Sequence, residues 1–223
     1  MGYVITGDLT YKINYDNKTA FVVEANNIGR EVIIPEEVNG CKVISIMKEA
    51  FKDNLDVVIV TIPTTVEFIG AKAFMNCINL KTVIVENTKD YKDNVTLNVY
   101  SAVFANCTSL TNVSLRYPTA LKDWSIFENC VNLEHVSTDC IRGNIPCKTF
   151  DGCVKLRNFC AAGIEIIEEK AFQSVLLSRF DEFGEIQEFS EDFVQALKLA
   201  KISCPHNSNL TPLAYSGYNV SFY

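Results

Sequence analysis

A short element, Phe-x-x-Cys-x-x-Leu, recurs along this chain and constrains its fold more than any other feature. Four copies are complete and three are degenerate, and they begin at Phe51, Phe74, Phe104, Phe127, Phe150, Phe172 and Phe193. Successive phenylalanines are separated by 23, 30, 23, 23, 22 and 21 residues. Self-similarity at a nearly fixed spacing of this size is typical of solenoids and other repeat architectures.

Pairs of apolar residues accompany each element. Val60-x-Ile62 and Val83-x-Val85 precede successive elements, and alternate apolar residues predict strands because alternate side chains share a face. A second pair, Val66 and Ile69, lies just before Phe74, and the small Ala73 beside that phenylalanine suggests one helical turn. Each unit is therefore predicted to fold as strand, turn, short second strand, helical turn and return.

A unit this short cannot bury its apolar side alone, so the copies must stack into a continuous core. Neighbouring coils would then bond at the spacing between strands, about 4.8 Å, and seven coils would extend roughly 35 Å. The sequence thus predicts a repeat solenoid, mainly of β structure.

The repeat resembles the BspA-like, or Treponema-type, leucine-rich repeat, and the segment from Val60 to Leu80 carries the likeness. Leu9–Ile13 and Ala20–Val23, on either side of a polar turn, are similar to the family's opening hairpin. The resemblance implies a right-handed stack of about seven coils. The domains expected from it are an N-terminal β-hairpin cap over 1–30, a leucine-rich-repeat solenoid over 31–205 and a C-terminal cap over 206–223.

Conserved types within the unit predict a structural ladder inside the stack. Its members are Phe74, Cys77, Leu80, Phe104, Cys107, Leu110, Phe127, Cys130, Leu133, Phe150, Cys153 and Leu156. Metal ligands must converge on one point, whereas these cysteines follow one another along the axis, so we predict free thiols and no metal. A zinc site among Cys140, Cys147, Cys153 and Cys160 is a weaker alternative, since the spacing does not suit it. Nine cysteines, mostly unpaired, favour a reducing or anaerobic setting.

Catalytic motifs are not found in this sequence. It has no nucleophile elbow, phosphate loop, dinucleotide fingerprint or metalloprotease motif. We read His135 as a surface residue of its strand and His206 as a turn residue. Cys160 with His135 on an adjacent coil would be a nucleophile and base, but no third residue orients them. The sequence predicts a protein that is not an enzyme and needs no cofactor.

The net charge of −7 argues against two classes of partner. An acidic chain gains nothing from counterion release on nucleic acid and is not attracted to anionic lipid. No apolar run reaches the length of a membrane span, and no signal peptide begins the chain. If the chain is complete, this favours an intracellular protein, whereas the family resemblance implies the cell surface or secretion.

The outward positions of the first strand in each unit form a candidate binding surface, expected on the concave side. Its members are Ile59, Thr61, Thr82, Ile84, Asn112, Ser114, His135, Ser137, Asn158, Cys160, Lys201 and Ser203. Small neutral side chains dominate, and the Trp, Tyr and Arg anchors of typical hot spots are missing. A solvated face is as well supported as a binding one.

Two other features could contribute to binding. The 30-residue unit contains a polar stretch after Val85, and its residues Lys89, Asp90, Tyr91, Lys92 and Asp93 are predicted to protrude as a loop. Trp124 would suit an interface, but it replaces an isoleucine of the second apolar pair, which favours the core.

The most economical function is non-catalytic protein binding through the solenoid surface. The family resemblance implies a surface or secreted protein of the adhesion type. An intracellular interaction scaffold is the alternative, and a cysteine-dependent enzyme is a distant third. The sequence does not identify the protein partner.

Overall fold

The structure is a computed structural model. All the elements named below are short strands, and turns connect them. It describes residues 2–26, 29–86, 96–115, 119–137, 141–156, 158–160, 164–168, 170–172, 174–175, 201–204 and 220–222. An eight-stranded sheet contains β1 (Gly2–Thr6), β2 (Leu9–Asn14), β3 (Thr19–Ala25), β5 (Glu37–Val38), β6 (Cys41–Ile46), β8 (Phe68–Ile69), β10 (Leu97–Val99) and β12 (Thr119–Leu121). A six-stranded sheet contains β4 (Glu31–Ile33), β7 (Ile59–Ile62), β9 (Thr82–Val85), β11 (Asn112–Leu115), β13 (His135–Ser137) and β15 (Asn158–Cys160). A four-stranded sheet contains β14 (Gly143–Ile145), β16 (Ile164–Ile167), β17 (Lys201–Cys204) and β18 (Val220–Phe222).

The chain alternates between two sheets as it advances from coil to coil. In the eight-stranded sheet the order β3-β6-β8-β10-β12 is parallel throughout, and in the six-stranded sheet the order runs from β4 to β15. Each turn of the chain therefore supplies one strand to each sheet, as the two apolar pairs in the sequence predicted. The solenoid fold is confirmed.

The N-terminal end begins with antiparallel strands. β2 and β3 pair as the predicted hairpin, and β3 then pairs in parallel with β6, which joins the hairpin to the first coil. β1, which the sequence reading did not foresee, adds a further antiparallel strand through a two-residue turn at Gly7 and Asp8. Tyr11 and Ile13 of β2 are buried, so the hairpin closes the end of the core.

The turn around each phenylalanine is not the predicted helical turn. Glu49 and Asp53, on either side of Phe51, have φ of 63° and 61°, and Lys72 and Asn76 repeat this around the next phenylalanine. Left-handed residues two positions before and two positions after the phenylalanine interrupt a helix and turn alternate N–H groups outward along the axis. The N–H groups of Glu49, Phe51 and Asp53 accordingly donate to carbonyl oxygens of the following coil at 2.7 to 3.1 Å. The prediction of a helical turn was wrong.

The phenylalanines stack through the middle of the core. Rings of adjacent coils, from Phe51 to Phe172, have centroids 4.6 to 5.4 Å apart and planes inclined by 7° to 22°. All six are at most 1% exposed. Such offset pairs add roughly 0.5–1.5 kcal/mol each beyond the area that they bury. Phe193, predicted to mark a further unit, lies outside the described residues.

The 30-residue unit between Phe74 and Phe104 stacks in register with its neighbours. Strand register places Val85 beside Ile62 and Asn98 beside Phe68. The rings of Phe74 and Phe104 remain 5.4 Å apart in spite of the 30 residues between them. All the additional length therefore lies between Val85 and Asn98, which agrees with the position inferred from the sequence.

Candidate functional site

The outward positions of the six-stranded sheet form two rows in strict strand register, which we call the outer sheet face. The first row is Glu31, Ile59, Thr82, Asn112, His135 and Asn158. The second row is Ile33, Thr61, Ile84, Ser114, Ser137 and Cys160. Residues between them, such as Val60 and Val83, are fully buried, as the period of a strand requires.

The outer sheet face retains contact with solvent along its described length. Thr61, Thr82 and Ile84 are partly exposed and Asn112 is exposed. Ile33, at the N-terminal edge, is 64% exposed. Glu31 charges the N-terminal edge, whereas the positions from Ile59 to Ser114 are uncharged, so these coils would recognise a partner by shape and hydrogen bonding more than by charge.

Lys201 does not share this face. The structure places it in β17, which pairs with β16 in the four-stranded sheet, with Lys201 beside Ile166. The prediction grouped Lys201 with Thr61 by counting from Phe193, where the repeat is degenerate. In that region the spacing from the phenylalanine no longer fixes which sheet a strand joins.

The cysteines of the complete units lie inside the turns and form one row along the axis, the thiol row. The Sγ of Cys77 donates to the carbonyl oxygen of Phe51 at 3.0 Å, and Cys107, Cys130 and Cys153 repeat the contact at 3.1 Å, each with the phenylalanine of the preceding coil. All four are buried and free. A small side chain with a weak donor is what this position requires, because the backbone carbonyl of the preceding coil lies directly against it.

The thiol row is unsuited to nucleophilic chemistry. Burial raises the pKa of the Cys77 thiol to about 12. Burial likewise raises the pKa of Cys107, Cys130 and Cys153 above the usual range. Reactive cysteines have the opposite property, a lowered pKa in a partly exposed and electropositive site.

The pairing of Cys160 with His135 is not supported by the strand register. Cys160 lies beside Ser137, and His135 lies beside Asn158. The Nε2 of His135 lies 3.8 Å from the Oε2 of Glu134, its neighbour in the chain. Within the described part of the chain, no cluster of three or more His, Cys, Asp or Glu side chains could hold a metal ion.

A row of asparagines, the asparagine row, was missed in the sequence. The Nδ2 of Asn76 donates to Asp53 at 2.6 Å, that of Asn106 to Asn76 at 2.9 Å, and that of Asn129 to Asn106 at 3.0 Å. These residues occupy the second left-handed position of each turn, which asparagine tolerates better than most residues. The signal was available, since an Asp or Asn stands two residues after the phenylalanine in four units.

A second missed feature is an exposed apolar ridge beside the outer sheet face. Leu55, Ile78, Val131 and Val154 each lie four residues after a phenylalanine and are 56%, 43%, 38% and 41% exposed. Thr108 occupies the same position in the coil between Ile78 and Val131. Because one residue per coil contributes, the apolar ridge runs parallel to the axis along the starts of the sheet strands.

A shallow depression of about 410 Å³ lies at the N-terminal end of this ridge. Its lining combines an apolar side chain with groups of both charges and is formed by Arg30, Leu55, Asp56, Val58, Asn79 and Lys81. The Nδ2 of Asn79 donates to the carbonyl oxygen of Leu55 at 2.7 Å, which fixes one wall. The depression could accept a single side chain of a partner protein.

Trp124 lies on the surface, contrary to the prediction that it belongs to the core. Its side chain is 61% exposed. Leu121 pairs with Val99 and fills the strand position, and Ser125 takes the left-handed position, so this turn holds one residue more than its neighbours. The additional residue is what moves Trp124 out of register, while its carbonyl oxygen accepts from Ala102 at 3.1 Å.

Several predicted features fall outside the described residues. These are the segment Lys89, Asp90, Tyr91, Lys92 and Asp93, the residue His206, and Cys140. Among the helices of the described residues, none is long and apolar enough to cross a membrane.

Comparison with known proteins agrees with this geometry. The family profile described as "BspA type Leucine rich repeat region" matches in six copies over residues 30–157 and 90–200. The chain belongs to the BspA-type leucine-rich-repeat family. No curated protein gives a significant match. Leucine-rich-repeat domains of this kind generally mediate protein interactions and are generally not enzymes.

Solved structures with TM-scores above 0.5 show the same fold at low sequence identity. A Treponema pallidum leucine-rich-repeat protein is 16% identical with a TM-score of 0.59, and the match covers 99% of each chain. A leucine-rich-repeat protein from Eubacterium ventriosum is 20% identical with a TM-score of 0.53, covering 77% of this chain and 49% of that one. One from Bacteroides capillosus is 24% identical, covers 60% of this chain and 96% of its own, and has a TM-score of 0.48.

Proposed function

We propose that this BspA-type protein is a non-catalytic binder of the adhesion type, and that it binds a partner protein through the outer sheet face and the adjoining apolar ridge. The observation that carries the proposal is the in-register outer sheet face. Its described side chains keep solvent contact, while those between them are fully buried. The inward residues are used for stacking, so the outward ones are available for recognition.

The dimensions of this surface suit a protein better than a small molecule. Six strands at a spacing of about 4.8 Å extend roughly 24 Å across the face. Small ligands prefer enclosed, mostly apolar cavities, whereas the depression beside Arg30 and Lys81 is shallow and of mixed polarity. Burial of the apolar ridge would add a hydrophobic driving force for binding, which a surface of hydroxyl and amide groups alone would lack.

The inserted segment after Val85 is a second candidate contact. Lys89–Asp93 combines charges with Tyr91, and tyrosine is enriched at binding hot spots. Insertions in repeat proteins often belong to the binding face. Replacing Lys89–Asp93 by a Gly-Ser stretch should leave the unfolding temperature almost unchanged and weaken binding, and a large loss of stability would contradict this assignment.

An intracellular scaffold that uses the same surface is the second candidate, and the free cysteines favour it. Disulfides form readily in oxidising compartments, yet the buried Cys41, Cys77, Cys107, Cys130 and Cys153 are all free. Antibody labelling of intact and permeabilised cells separates the two. Labelling of intact cells supports adhesion, and labelling only after permeabilisation supports the scaffold.

A panel of immobilised extracellular-matrix and serum proteins tests the adhesion proposal. The chain, labelled at its C-terminus, should bind at least one of them saturably, and excess unlabelled chain should compete. The heat-unfolded chain is the control, because a solenoid surface exists only when the coils are stacked. No saturable binding to any member, or equal binding by unfolded chain, would contradict an adhesion role.

A further inference from the structure

The first strand of the chain has an outer edge on which no described strand pairs. β1 ends the order of the eight-stranded sheet and pairs only with β2. Natural proteins usually protect such an edge with charged residues, proline or a bulge. Gly2–Thr6 contains no charged residue and no proline, and its register with β2 is regular.

The turn geometry identifies which backbone groups face the open edge. Thr6 and Leu9 flank the two-residue turn and pair with each other, with φ of 58° at Gly7. The residues that flank a two-residue hairpin turn exchange both hydrogen bonds, and pairs then alternate along the strands. Val4 therefore also bonds to β2, whereas the N–H and C=O groups of Tyr3 and Ile5 point away from it.

Both residues at the open edge are large, apolar and exposed. Tyr3 is 71% exposed and Ile5 is 70% exposed, and they lie on the same side of the sheet because they are two positions apart. Val4, on the opposite side, is partly buried and packs against the core. The edge therefore presents unpaired backbone groups flanked by apolar side chains on both faces.

We propose that β1 pairs with β1 of a second copy of this chain, antiparallel and centred on Val4, to form a symmetric dimer. In this register Tyr3 of one copy lies opposite Ile5 of the other, and the reverse holds by symmetry. The backbone groups of these residues bond to no described strand, so the pairing makes four hydrogen bonds without breaking a described one. Aromatic and β-branched residues are also favourable cross-strand neighbours.

The two Val4 residues then lie opposite each other at the two-fold axis. Because hydrogen-bonded and non-hydrogen-bonded pairs alternate along antiparallel strands, the Val4 pair is a non-hydrogen-bonded one, in which the side chains lie closer together. The contact is isologous, as two-fold symmetry demands. It joins two eight-stranded sheets edge to edge, with the N-terminal ends at the centre and the coils extending away from each other. Each dimer thus carries two outer sheet faces. The dimer would therefore bind its partner bivalently, which goes beyond the proposed binding function of the single chain.

The interface is small, so the dimer should be weak. Two five-residue strands bury less than the roughly 1,200 Å² that marks the lower end of stable interfaces. Sedimentation velocity of the 223-residue chain, with no additional residues before Met1, should show a reversible shift from monomer to dimer in the micromolar range. A monomer at every concentration up to the millimolar range would overturn the proposal.

Charge reversal tests the register. The variant Tyr3→Lys/Ile5→Lys places two lysines opposite each other at both pairs, and the variant Tyr3→Glu/Ile5→Glu does the same with glutamates. Each should be monomeric alone, since like charges directly opposite are destabilising. An equimolar mixture should form a heterodimer, because every pair then joins opposite charges.

A matched control is the variant Met47→Lys/Trp124→Lys, which changes residues that are 39% and 61% exposed and lie outside β1 and β2. It should dimerise like the parent chain. Circular dichroism checks that all variants remain folded. Dimers in both charge-reversal variants alone, failure of their mixture to associate, or loss of dimers in the control would each overturn the assignment to β1.

Discussion

The Sγ of Cys130 lies 3.1 Å from the carbonyl oxygen of Phe104, one coil earlier, and donates its hydrogen bond to it. The same contact joins Cys153 to Phe127 and Cys107 to Phe74. Each of these carbonyl oxygens also accepts from a backbone N–H of its own turn, as Phe104 does from Cys107 at 3.1 Å, so the thiol supplies a second, buried hydrogen bond. This arrangement requires the protonated thiol, and stability should consequently depend on pH.

Alkaline conditions should destabilise the fold. The folded-state pKa of Cys77 is raised from 9.0 to about 12, so its contribution is complete below pH 9 and is lost as the pH rises toward that value. In that window the unfolded chain holds fewer protons than the native one, and each such thiol lowers the free energy of unfolding by about 1.4 kcal/mol per pH unit. Burial raises the pKa of Tyr11 from 10.0 to about 12, which adds to the loss above pH 10.

Urea unfolding under a reducing phosphine, from about pH 8 to about pH 10, measures this slope. The variant Cys130→Ala, although less stable at neutral pH, should show a shallower decline because one buried thiol is absent. An unfolding free energy that does not fall over this range, or an equal slope in the variant, would contradict the role assigned to burial.

The asparagine row should contribute through both its hydrogen bonds and its backbone conformation. Asn106 donates to Asn76, accepts from Asn129 and has φ of 62°. Asn106→Ala removes two hydrogen bonds of about 0.5–1.5 kcal/mol each, and alanine lacks the polar side chain that lets asparagine tolerate the left-handed conformation, which costs other L-residues about 1–2 kcal/mol. Asn106→Gly loses the hydrogen bonds but avoids that strain, so chemical unfolding should rank the parent above the glycine variant and the alanine variant last. Equal stability of all three would mean that the row is incidental.

A core leucine should be much more sensitive than a residue of the apolar ridge in the same coil. Leu133 is fully buried, and Leu133→Ala should cost about 2–5 kcal/mol through lost burial and the cavity left behind. Val131 is 38% exposed, and Val131→Ala, the matched control, should cost less than about 1 kcal/mol. Unfolding midpoints in denaturant compare the two. Similar losses for both would show that the side of the coil facing the core has been misassigned.

Most thiols should be free in the whole chain. Denatured but unreduced protein should react with at least seven equivalents of a thiol reagent out of the nine cysteines present. The same protein treated first with a reductant gives the full count as a reference. Four disulfides would contradict both the thiol row and the inference of a reducing or anaerobic setting.

The stack could be predicted from the sequence because the periodic recurrence of apolar residues follows directly from the stacking of coils. Val60, Val83 and Val113 recur at one offset from their phenylalanines, and residues at equal offsets must meet when coils stack. The hairpin of β2 and β3 was equally legible from alternating apolar residues around a polar turn. Neither inference required knowledge of the turn conformation.

Features that depend on the conformation of the turns were not predicted from the sequence. The asparagine row is visible only once Asn76 and Asn106 are known to be left-handed, and a single added residue moved Trp124 from the expected core to the surface. Lys201 was misplaced because degenerate spacing does not tell which of two sheets a strand joins. β1 was overlooked because Tyr3, Val4 and Ile5 are consecutive apolar residues without the alternation that marks a half-buried strand.

The most direct test of the account is a comparison of binding and stability in one variant of the outer sheet face. Thr61→Glu/Thr82→Glu introduces a charge in each outward row, and Asn17→Glu in the exposed hairpin turn is the matched control. With whichever protein of the panel binds, titration calorimetry should show affinity lowered at least about tenfold, equivalent to 1.4 kcal/mol, in the double variant and unchanged in the control, with unfolding temperatures close to that of the parent. Full affinity in a folded Thr61→Glu/Thr82→Glu protein would contradict the assignment of binding to this face.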